Sequence, residues 1–102
     1  MIGYAAAILL CALDEKNRPS LWQLIVVCIE ADSEEAARRK AESVSQRYEC
    51  EYETATGARL RWKFDSVDSV HLIDPFPPGD EAEVFSRFLR DEEVRSLREP
   101  IE

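Results

Sequence analysis

The sequence predicts an α+β fold: a mainly antiparallel sheet of about five strands, in the order β-β-α-β-β-β-α, with one main helix packed on it. Three observations predict it. Two alternating segments flank a glycine-containing turn between Tyr48 and Ile73, the pattern of a half-buried hairpin. Two earlier segments, Tyr4–Leu13 and Leu21–Ala31, are apolar on both faces, as strands covered on two sides must be. Between these pairs, Ala37, Ala41, Val44 and Tyr48 recur at helical spacing.

Tyr4–Leu13 carries no charge, which suits an interior strand. If it were an edge, a symmetric dimer through it would be the simplest way to satisfy its backbone. The apolar start superficially suggests a signal peptide, but it has no basic leader and ends after about ten residues, so a buried strand explains it better. The polar run Asp14–Ser20 is a connection, and Leu21–Ala31 follows as the strongest β segment, expected to pair antiparallel with the first. Asp32 or Ser33 can cap the helix that follows, with Glu34 and Glu35 at the positive end of its dipole. Arg38, Arg39, Lys40, Glu42 and Arg47 read as its solvated sides.

In the hairpin, Cys50, Tyr52 and Thr54 alternate with Glu49, Glu51 and Glu53, and Leu60, Trp62 and Phe64 alternate with Arg59, Arg61 and Lys63. Opposed residues share a face. A two-residue loop would mix the faces; a three-residue loop, Ala55–Gly57, keeps them and puts Gly57 where a left-handed backbone is needed. The outer face then sets Glu53 against Arg59, Glu51 against Arg61 and Glu49 against Lys63. Val70 and Leu72 keep the parity of Leu60, but Ser66 and Asp68 break it, so a bend or bulge around Asp65–Ser69, or two shorter strands meeting there, is expected.

The prolines at 75, 77 and 78 end regular structure. Glu83–Leu89 suits either a helix capped by Asp80 or a strand, and the strand is preferred. Asp91 offers a cap for a short helix running toward Pro100.

The order of these pieces resembles a family of short bacterial proteins, the domain-of-unknown-function family numbered 4288. The resemblance rests on Tyr4-Ala5-Ala6, Leu21-Trp22, the Ala31–Ala36 helix start, Arg61–Phe64 and Glu83–Phe88. It implies a strand at Glu83–Leu89 and carries no activity, substrate or catalytic residue. The proline-rich stretch departs from the family pattern.

One hundred and two residues make one domain, with a core over about 4–90 and a short helix and acidic tail over 91–102. The net charge of −8 excludes a general nucleic-acid binder, which needs cations to displace counterions. Residues 74–102 carry nine acidic and four basic side chains, so the acid is concentrated there. Its plain reading is a solvated tail and helix face; its sharper reading is a surface for a basic partner. No segment is long and apolar enough to span a bilayer. Cys11, Cys28 and Cys50 form no paired motif and read as buried free thiols of a reducing cytoplasm.

The search for chemistry yields little. His71 is the only histidine and has no nucleophile placed beside it by a known spacing. The glutamates at 49, 51 and 53 could hold a hard cation, but the register neutralises them with Arg and Lys. Trp62 alternates away from Arg59, Arg61 and Lys63, so it belongs to the core rather than to a stacking surface. The three glycines are too scattered to cradle a phosphate, and no cofactor or metal is expected. Two functions follow. The first is a non-enzymatic cytoplasmic interaction module, immunity-like or inhibitor-like, whose acidic surface or open sheet edge meets another protein or a second copy. The second is a small-molecule-binding or catalytic domain with a site between sheet and C-terminal segment, near Trp62, His71 and Arg87.

Overall fold

The computed structural model describes residues 2–73, 80, 81 and 83–98. It contains β1 (Ile2–Leu13), β2 (Pro19–Ala31), α1 (Glu34–Ser45), β3 (Cys50–Glu53), β4 (Arg59–Ile73), β5 (Glu83–Leu89) and α2 (Asp91–Arg98), with one turn of 3-10 helix at Gln46–Tyr48. The five strands form one antiparallel sheet in the order β3-β4-β1-β2-β5. The proline-rich connection lies outside the described residues.

β1 is central, paired with β2 on one side and β4 on the other. Its even-numbered residues Tyr4, Ala6, Ile8, Leu10 and Ala12 join Ile25, Val27, Ile29 and Ala31 of β2 in a core closed by Ala37, Ala41 and Val44 of α1. Its odd-numbered Leu9 and Cys11 join Trp22, Leu89 and Val94 of α2 in a smaller cluster on the other face. A helix on each face is why β1 and β2 lack the polar alternation of a one-sided sheet. Because β1 has a neighbour on both edges, a dimer through it is ruled out.

Ser33 caps α1. It sits in extended backbone (φ −153°), and its hydroxyl accepts from the Ala36 amide at 3.1 Å. The small Ala37 and Ala41, both fully buried, let the helix lie close on β1, β2 and β4. Its basic flanks are not simply solvated. Arg38 donates to the Val67 carbonyl at 3.1 Å and Lys40 to the Glu30 carbonyl at 3.2 Å, tying the helix to the sheet.

The hairpin has the three-residue loop. The Thr54 amide donates to the Ala58 carbonyl (2.8 Å), the Gly57 amide donates to the Thr54 carbonyl (2.9 Å), and Gly57 is left-handed at φ +87°. The ladder sets Glu53 opposite Arg59, Tyr52 opposite Leu60, Glu51 opposite Arg61 and Cys50 opposite Trp62. The expected ion pairs are not made among the described residues: Arg61 donates to Asn17 instead, and Glu49, outside β3, accepts from the Phe64 amide at 3.0 Å. Cys50 is also exposed, whereas Cys11 and Cys28 are buried. β3 is a four-residue edge strand outside the stretch of sheet that α1 covers, so alternation alone does not bury its inward side.

β4 carries two bulges. Its pairing with β1 skips Asp68 between Ser69 and Val67, and Asp65 between Ser66 and Phe64. Each skip shifts the phase by one residue. Val67 thereby joins Trp62, Phe64 and Val70 on the α1 side, while Ser66 lies opposite Leu9. This explains why polar residues interrupt an otherwise regular alternation.

At the α2 start, Glu93 reaches back to the Arg90 amide at 3.2 Å. Asp91 therefore lies inside the helix instead of capping it.

Trp62 closes the core beyond the end of α1. It lies opposite Ala12, whose small side chain leaves room for the indole to extend over the sheet. The ring meets Tyr52 on one side (centroids 6.4 Å, 14° between planes) and Phe88 of β5 on the other (6.0 Å, 37°). Trp62 and Phe88 are three strands apart in the sheet order, so this contact requires the sheet to curl around its α1 face.

Two outcomes follow. Ala6→Lys places an ammonium at a fully buried site and should abolish the cooperative circular-dichroism melt instead of splitting an oligomer. Trp62→Ala should lower the urea-derived unfolding free energy by about 3–5 kcal/mol.

Candidate functional site

The sheet has two edges, and they differ. β3 is short and carries Glu51 and Glu53, with Glu49 just before it, so length and charge both blunt it. β5 is seven residues long and, among the described residues, pairs on one side only, with β2. Val84, Phe85 and Phe88 are 49%, 50% and 59% exposed. Phe88 faces the α1 side, against Trp62, and Phe85 faces the α2 side. The prolines and acidic residues that cluster after residue 74 predict a protected end; among the described residues, β5 is instead the more open edge. The signal was present in Glu-Val-Phe-Ser-Arg-Phe-Leu, which carries large apolar residues on both parities yet comes last in the sheet, with no further strand beside it among the described residues.

β5 is held at both ends. Before it, the Asp80 carboxylate accepts from the Glu30 amide (2.8 Å) and from Lys40 (2.6 Å), and the Glu81 amide donates to the Cys28 carbonyl at 2.6 Å. Arg47 and Lys40 pair with Glu81, which sits at φ +64°, a left-handed conformation that a glutamate adopts only under such constraint. The Tyr48 hydroxyl donates to Glu83 at 3.2 Å. Partial burial, followed by the Glu83 carboxylate, raises the Tyr48 hydroxyl above its ordinary value. For Asp80, burial works to raise the carboxyl, but the hydrogen bonds from Lys40 and the Glu30 amide together outweigh it and hold the group below its ordinary value. After β5, Leu89 packs with Val94, and Glu93 bridges Arg87 (2.8 Å) and Arg90 (3.1 Å). Skipping Val84 against β2 makes a bulge at the front of the strand.

Trp62, His71 and Arg87 do not converge. Trp62 is buried on the α1 side. His71 lies opposite Ala5 on the other side, exposed on β4. Arg87 is across the sheet on β5, occupied by Glu93. A recess of about 260 Å³ does lie between sheet and α2, lined by Leu24, Arg87, Leu89, Glu93, Ser96 and Leu97. It is below the usual size of a ligand cavity. Among the described residues no group of three His, Cys, Asp or Glu side chains is placed to hold a metal ion, and no helix is long and apolar enough to cross a membrane.

The family model described as "Domain of unknown function (DUF4288)" matches residues 4–86. The chain belongs to this family. The match takes in β1 to β4, α1 and β5 as far as Ser86, and leaves α2 outside. No curated protein and no solved structure matches the chain.

The Asp80 anchor has a pH signature. Its carboxyl is depressed in the folded state, so its contribution is present above the unfolded value of 3.8 and is lost as pH falls through the lower folded value. Asp80→Asn should lower the urea midpoint at pH 7, and the gap to the parent should narrow as the pH is taken below the unfolded value of 3.8 and through the lower folded one.

Proposed function

We propose that this protein is a non-enzymatic interaction module of the cytoplasm, which takes an extended segment of another protein against the outer edge of β5. The observation that carries this is a seven-residue edge strand, anchored at both ends, with three large apolar side chains about half exposed. Such a strand offers unpaired amides and carbonyls as a template, and its neighbouring side chains supply selectivity. Cys28 and Cys50 are free thiols, which favours a reducing compartment. An immunity-like or inhibitor-like role is one form of this reading, since an inhibitor needs only to occupy its target. A catalytic reading has less support, because Trp62 and His71 point to opposite faces of β4 and Arg87 lies three strands away on β5.

A display library of unstructured peptides selected against the protein tests the proposal. Selected binders should slow hydrogen exchange of β5 amides, and the double substitution Val84→Ser with Phe85→Ser should weaken them by about tenfold or more. Binders that leave β5 exchange unchanged and tolerate both substitutions would overturn it.

A further inference from the structure

The β5 edge is apolar on both sides of the sheet, and that constrains its occupant. A strand added beside β5 places its own side chains alternately next to Phe88 on the α1 side and next to Phe85 on the α2 side. An alternating, amphipathic strand would cover one phenyl ring and set polar groups against the other. Only a segment apolar on both parities covers both. β1 and β2 already show this pattern within the same sheet, for the same reason.

Charge narrows the occupant further. Residues 80–97 hold six acidic and three basic side chains. The three arginines there, Arg87, Arg90 and Arg95, are each paired with a carboxylate of the same stretch. Lys40 and Arg47 reach from α1 to offset Asp80 and Glu81. Among the described residues, each arginine of that stretch already has a carboxylate partner, and the chain as a whole carries −8. A second copy brings the same −8 and the same acidic quarter to the interface, so electrostatics opposes self-pairing and favours a cationic segment.

We infer that the β5 edge receives a short run apolar on both faces and flanked by lysine or arginine, contributed by a different protein; this rests on the strand-addition reading above. Three synthetic peptides test it by fluorescence anisotropy against the whole chain. One has a continuous valine and isoleucine run with lysines at both ends. The second has the same run with glutamates. The third has lysine ends and alternates valine with serine. The first should bind about tenfold more tightly than either of the others at low salt. Its margin over the second should shrink in concentrated salt, as a screened charge effect must. Equal binding of all three, with β5 amides protected, overturns the inference and leaves strand addition standing. Failure of all three to protect β5 overturns both. A parent that sediments as a dimer, and is split by Val84→Ser with Phe85→Ser, gives the edge to a second copy and likewise overturns the inference.

Discussion

Everything in this fold hangs on an uncharged strand in the middle of the sheet. β1 has hydrogen-bonded neighbours on both edges and apolar cover on both faces, so apart from Ile2 at its start little of it is available to water. That is tolerable only because its residues are small or apolar throughout and its polar backbone is paired on both sides. The two helices serve this arrangement unequally. α1 covers most of one face with three small residues, and α2 covers the end of the other with Val94. On the α1 face, what the helix leaves uncovered is closed by aromatic rings: Trp62 reaches over from β4 and Phe88 from the β5 edge.

Much of the fold was legible in the sequence because its signals are local. Hairpin register, the loop ending at Gly57, the Ser33 cap and the bulged region near Asp65 each follow from a few neighbouring residues obeying one periodicity. What escaped depends on which strand lies beside which. Cys50 alternates like a buried residue, but burial also needs something to cover it, and nothing in its own segment says that β3 is an edge beyond the reach of α1. Opposed charges in a correct register still did not pair, because Asn17, from a turn more than forty residues away, engages Arg61.

The candidate site was less legible for the same reason. Trp62, His71 and Arg87 stand out in sequence as a tryptophan, the single histidine and an arginine between Ser86 and Phe88. Their strands and faces separate them. β5 was hard to weigh because its composition fits both a helix and a strand, and its openness is a property of the sheet order rather than of the segment. The anchors of β5 are equally non-local: Lys40, Arg47 and Tyr48 come from α1 and the turn after it, and meet acidic residues over thirty positions later.

The paired bulges in β4 constrain how this chain can change over generations. Each slips the strand by one residue, and the second slip undoes the first, so Trp62 and Val70 end on the same side of the sheet. A deletion at either one alone would turn half of the strand inside out, exposing either the tryptophan end or the valine end. Deleting both would leave a shorter strand with its sidedness intact. Descendants of this sequence should therefore gain or lose these two residues together, and length variation in the family should fall in steps of two along this strand while single steps collect in the loops.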